Sequence, residues 1–204
     1  VGKKQDVIVR VCLGLKIHQL QIKDQQVNMK IGLCGTMSVG KTTLVNALKE
    51  LPEFADYNFA TERSKYLRDL GIPLNTDSTL KGQFIFLAER CAELMNENVI
   101  TDRTVIDVMA FTKAAKSIDY YEAEAFCDAA YKLIDEYDYI FYISPKGIEM
   151  EDNGVRETDL KYRETIDNII QLLLYRSNHR IKHFAPISGT TEERIAKIKE
   201  IIFG

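Results

Sequence analysis

The stretch Gly35-Thr36-Met37-Ser38-Val39-Gly40-Lys41-Thr42, continued by Thr43, constrains the fold of this chain more than any other. A short apolar run, Lys30 to Cys34, precedes it. Leu44, Val45 and Leu48 follow at helical spacing until Pro52 stops the pattern. That order predicts a strand, a Gly-bearing loop and a helix in direct succession. The glycines admit backbone conformations that a side chain forbids. Successive N–H groups then turn inward as an anion nest, and the helix beginning near Lys41 adds its positive end. The pattern is GxxxxGK followed by Thr, the Walker A signature of a phosphate-binding loop. Lys41 is expected to reach the β- and γ-phosphates of ATP, and Thr42 to place its hydroxyl on Mg2+.

Strands alternate with helices along the rest of the chain. Tyr57 to Ala60, Asn98 to Asp102, Tyr139 to Ile143 and His183 to Ile187 read as strands. Tyr139 to Ile143 is apolar almost throughout, as a strand covered on both faces should be. Helices are expected from about Thr61, over 79–97, 105–115, 120–136 and 160–177, and from Thr191 to Ile202. In the helix 79–97 the apolar positions Phe84, Leu87, Ala88, Cys91 and Leu94 suggest a common buried face. The pattern predicts an α/β P-loop NTPase fold of three layers, with about five parallel strands, helices on both faces and a lid. Residues 1–28 lack this alternation and read as an appendage without chemistry, foreign sequence or a small hairpin. Residues 29–204 form the P-loop domain.

Composition narrows the function classes. The 204 residues suit one large core, with 46% hydrophobic and 28% charged residues. A net charge of -3 argues against a general nucleic-acid or anionic-membrane binder. No apolar run reaches the roughly 18 residues of a membrane span. The four cysteines form no CxxC pair. Cys34 and Cys91 read as buried hydrophobes, and a cytoplasmic setting is expected.

The P-loop alone does not select a class. The Asn/Thr-Lys-x-Asp segment that reads guanine is missing. AAA-type and transport ATPases would end the strand at Asp102 in Asp-Glu, whereas this chain reads VITDR, with Arg103 in the Glu position. At Asp102-Arg103-Thr104 the chain resembles the P-loop nucleoside and nucleotide kinases: thymidylate kinases, deoxynucleoside kinases and the nicotinamide-riboside kinase domain. These carry an Asp-Arg or Glu-Arg pair after this strand and an Arg-bearing lid before a long helix. The lid counterpart here is EMEDNGVRETDLKYRETID, with Arg156 and Arg163.

The resemblance implies ATP-dependent phosphoryl transfer with Mg2+ to a nucleoside or nucleoside monophosphate. A nicotinamide-riboside-type kinase and a regulatory nucleotide-binding ATPase are the alternatives. Phosphoryl transfer needs positioned cations more than covalent chemistry. Arg156 and Arg163 would therefore close over the phosphates, and Asp102 would order Mg2+ or accept a proton. The resemblance places Glu62 as general base or acceptor anchor. It also implies that Arg63, Gln83, Phe84 and Arg103 contact the acceptor. The Arg63-Ser64 and Arg103-Thr104 pairs favour an acceptor that already bears phosphate. The helix 120–136 could serve a homodimer face.

Overall fold

The computed structural model describes residues 28–61, 63–149 and 159–204. Of the leader, only Asn28 falls among them, so the appendage expected at residues 1–28 otherwise lies outside the described residues.

Five strands form one parallel sheet: β1 (Lys30–Cys34), β2 (Asn58–Ala60), β3 (Val99–Asp102), β4 (Tyr139–Ile143) and β5 (His183–Ile187). Their order across the sheet is β2-β3-β1-β4-β5. The P-loop strand β1 is central, pairing Leu33 with Asp102 on one side and with Phe141 on the other. Its last four residues, and all of β3, are buried. Parallel strands covered by crossover helices lose solvent from both faces, so they read as continuous apolar runs rather than alternating ones.

Seven α-helices lie among the described residues: α1 (Lys41–Lys49), α2 (Ser64–Asp69), α3 (Leu80–Glu93), α4 (Val105–Ala114), α5 (Tyr120–Tyr131), α6 (Leu160–Arg176) and α7 (Thr191–Phe203). One core contains Leu87 of α3, Ile106 and Met109 of α4, Phe126 of α5 and Ile166 of α6. The opposite core joins Leu44 and Leu48 of α1 to Ile198 of α7 and to Ile31, Leu33 and Phe141 of the sheet. This gives the helix–sheet–helix layering expected from the sequence. None of the described helices is long and apolar enough to cross a membrane.

Three expectations about α3 need correction. Its buried positions are Gly82, Gln83, Leu87 and Arg90, with Leu94 just beyond its end, whereas Phe84, Ala88 and Cys91 are exposed. The true face is phased one residue from the apolar stripe because two of its members are polar.

Candidate active site

Residues 35–43 leave β1 at the carboxyl ends of the strands, where ligands of open parallel sheets bind. Gly35, Ser38 and Gly40 have φ of 154°, 56° and 80°. These left-handed positions curl the backbone around a central point, as an anion nest requires. A Cβ on Gly35 would sit 2.6 Å from the Ile143 carbonyl, so only glycine fits beside β4. Gly40 is the N-cap of α1, and the helix has no acidic residue in its first turn to neutralise its positive end. The Met37 side chain is buried in the core, its sulfur accepting from the Thr36 hydroxyl at 3.1 Å.

Lys41 is buried, and its Nζ donates to the carbonyls of Gly35 (2.6 Å) and Thr36 (2.7 Å). The Thr42 hydroxyl donates to an Asp102 carboxylate oxygen. Asp102 itself is 1% exposed at the end of β3. Behind the loop stands Asp107 of α4, which accepts from the Gly35 amide (3.1 Å) and from the amide and hydroxyl of Thr104 (2.8 Å each). Burial, with Asp107 alongside, pushes the Cys34 thiol well above its usual range.

Beside the loop is a cleft whose wall includes Ser64, Gln83, Phe86, Arg103 and Phe111. Arg103 lines both this cleft and the small cavity over Ser38, Lys41, Thr42 and Asp102. Its φ is 95°, a left-handed conformation that costs a non-glycine residue on the order of 1 kcal/mol. The guanidinium lies 4.9 Å from the centre of the Phe111 ring. A third cavity flanks the loop on its outer side, bordered by Thr43, Ile148, Gly189, Thr190 and Arg194.

The structure thus gathers Lys41, Thr42, Asp102, Arg103 and Gln83 around two adjoining cavities. Three sequence candidates stand differently. Phe84 is 49% exposed and packs edge-on against Phe126 at 5.0 Å; Phe86, two residues on, is the aromatic of the cleft. Arg63 pairs with Glu89 at 3.4 Å and stacks on Tyr66, rather than lining the cleft. Arg163 is not a lid residue reaching for phosphate: it is 6% exposed on α6, and its guanidinium donates to the carbonyls of Met37, Ser38 and Ile148. Glu62 and Arg156, with the rest of the lid segment 150–158, lie outside the described residues. Arg194 was not anticipated. It is buried on α7 and donates from Nη1 to the Val39 carbonyl at 2.7 Å. No local pattern marks it, because its partner is 155 positions away.

Comparison with solved structures supports the fold. Deoxyadenosine kinase from M. mycoides, solved with products dCMP and dCDP, is 19% identical to this chain. Its TM-score is 0.60, with 85% of this chain and 98% of that one covered. NadR in complex with NAD and AMP-PNP is 13% identical with a TM-score of 0.63, covering 85% of this chain and 49% of NadR. NadR in complex with NR has the same identity and score, covering 94% and 58%. This chain therefore spans about half of NadR. No curated protein sequence matches it. A family model described as an AAA domain matches residues 30–194. That match overturns the exclusion of AAA-type proteins drawn from Arg103, although the motif still departs from Asp-Glu at that position. With most of its length matched, this protein belongs to the AAA domain family and is built on a P-loop kinase fold.

Proposed function

We propose that this protein transfers the γ-phosphoryl group of ATP to the hydroxyl of a nucleoside or nucleoside monophosphate. The observation that carries this reading is Arg103, which lines both the cavity over the phosphate loop and the neighbouring cleft. Two ligands seated in these cavities would meet at one guanidinium, where charge develops during transfer. Residues 35–43 hold the donor's phosphates. Lys41 exchanges the Gly35 and Thr36 carbonyls for the β- and γ-phosphates. Gln83 and Phe86 hold the acceptor's base. Gln83 is buried and lines the cleft, where its side-chain amide would read the acceptor's base.

The donor set suits Mg2+: one hydroxyl and one carboxylate, Thr42 and Asp102, are hard oxygen ligands in contact. No group of three or more His, Cys, Asp or Glu that could cage a metal occurs among the described residues. Mg2+ commonly takes one or two protein oxygens, phosphates and waters instead. When bound, it neutralises charge on the transferred group. Glu62, two positions before the cleft residue Ser64 in the sequence, is the proposed base for the acceptor hydroxyl, and Arg156 the proposed lid cation. Arg163 contributes by holding the loop.

The pairing of Arg63 with Glu89 removes one reason to expect a phosphate-bearing acceptor, and the apolar wall of Phe86 and Phe111 favours a nucleoside. Nicotinamide riboside belongs on the same panel. The free cysteines Cys34, Cys91 and Cys127 fit the cytoplasmic setting we assign. The decisive assay incubates the protein with ATP and Mg2+ and, in turn, nucleosides, nucleoside monophosphates and nicotinamide riboside. A phosphorylated acceptor with stoichiometric ADP is expected. If no acceptor lifts ADP release above its acceptor-free level, the kinase reading fails and a nucleotide-binding regulatory ATPase takes its place.

A further inference from the structure

All six carbonyls from Gly35 to Gly40 accept a hydrogen bond. Lys41 Nζ takes those of Gly35 and Thr36. The Nε and Nη2 of Arg163 take Met37 and Ser38, at 3.2 Å each. Arg194 Nη1 takes Val39 at 2.7 Å, and the Leu44 amide takes Gly40 at 3.0 Å. All but the last of these bonds therefore come from a cationic side chain. The two arginines arrive from separate helices, α6 and α7, and each is 6% exposed.

A trans peptide is planar, so the carbonyl of one residue and the N–H of the next point in opposite directions. A donor that holds a carbonyl outward therefore turns the following amide inward. On that geometry Arg163 sets the amides of Ser38 and Val39, and Arg194 sets the amide of Gly40. We propose that Arg194 and Arg163 are positioning residues that fix the outer side of the phosphate loop, keeping its amides aimed at a polyphosphate. Burying a guanidinium is unfavourable unless its bonds offset the lost water. Both arginines are nevertheless buried against backbone, where an aliphatic residue would pack without that penalty. Burial lowers the pKa of each, consistent with the enclosure seen in the geometry. The arginines also differ from Lys41: a phosphate that draws Lys41 away frees only Gly35 and Thr36, while the other carbonyls keep their donors.

This inference rests on residues 35–43 being a phosphate cradle and requires no particular acceptor. Because Arg194 also borders the outer cavity, its test must separate an effect through the loop from direct contact with a base or ribose. The binding of ATP and of inorganic tripolyphosphate should be compared by titration calorimetry for the wild type, Arg194→Met, Arg194→Lys and Arg163→Met. Removing a charge-assisted bond predicts about a tenfold loss for Arg194→Met, the same for both ligands. Arg194→Lys keeps the charge and reaches one carbonyl, so its loss is smaller and again equal for the two. Lys197→Met, on the exposed side of α7, serves as a control for simple loss of charge and leaves both affinities unchanged. Circular dichroism establishes folding; should Arg194→Met not fold, the equal loss in Arg194→Lys decides. Arg194 variants that lose ATP but keep tripolyphosphate, or lose neither, overturn the proposal. A wild type that binds neither ligand removes the cradle, and this inference falls with it.

Discussion

Lys41 turns its charge on the loop that carries it, bonding two carbonyls within 2.7 Å. Nucleotide binding is thus an exchange of partners for this side chain. Lys41→Ala should weaken ATP binding by about 1.5 to 3 kcal/mol, the scale of a charge-assisted bond. Transfer should slow further, since charge at the γ-phosphate counts more in the transition state. Calorimetry that returns an unchanged ATP affinity contradicts this. Arg103 offers a different test. Arg103→Gly relieves the left-handed strain but loses the Phe111 contact, terms of about 1 kcal/mol each. Transfer should fall about a hundredfold or more, the scale of a lost transition-state donor, in a variant that circular dichroism shows to be folded. At this scale the sequence was legible wherever a motif is contiguous. Gly35, Gly40, Lys41 and Thr42 stand together because one turn needs them all. Arg194 was invisible because its reason lies in a loop far along the chain, and Arg163 drew notice for a role that its burial does not support.

The helix α3 shows how a correct element can carry a wrong face. Hydropathy placed the core side at Phe84, Leu87, Ala88, Cys91 and Leu94. The structure buries Gln83, Leu87, Arg90 and Leu94. Gln83 turns inward because the cleft is there, and Arg90 because it donates to the Asp102 carbonyl (3.2 Å) and to Glu93. Periodicity weighs only apolar residues, so a face built partly of functional polar ones is read one step out of phase. Phe86→Ala should raise the acceptor KM by about tenfold, the equivalent of roughly 1.4 kcal/mol of aromatic contact, whereas Phe84→Ala should leave it unchanged. Steady-state kinetics on both variants checks this. The same helix carries a pH signature. Burial, outweighing Arg90 and aided by Glu89, pushes Glu93 up to about 7 from 4.5. Between these values the folded state holds more protons than the unfolded state, so the Glu93 contribution to stability falls as pH rises through the window. Denaturant unfolding of wild type and Glu93→Gln at pH 5 and pH 7 should show wild type losing stability relative to the variant at the higher pH.

The whole molecule places its chemistry at the carboxyl ends of the central strands. Five strands were readable from their apolar runs, but the order β2-β3-β1-β4-β5 was not. A run of Ile and Val states that a strand is buried without naming its neighbours. Putting β1 between β3 and β4 brings Asp102 next to the loop, which is why residues 60 positions apart, Thr42 and Asp102, form one pair. At this scale Gly32 is the telling position. A Cβ there would lie 2.5 Å from Thr104 Cγ2 and 2.9 Å from the Tyr137 ring. Gly32→Ala should cost about 1 to 3 kcal/mol by overpacking, read as a lowered unfolding midpoint. The larger effect is on alignment. Thr104 rests against the bare backbone of β1, binds Asp107, and through it steadies Gly35. The distance between the wall that bears Arg103 and the loop that bears Lys41 is therefore set by a missing side chain. A single added methyl group there would shift donor and acceptor apart while touching neither.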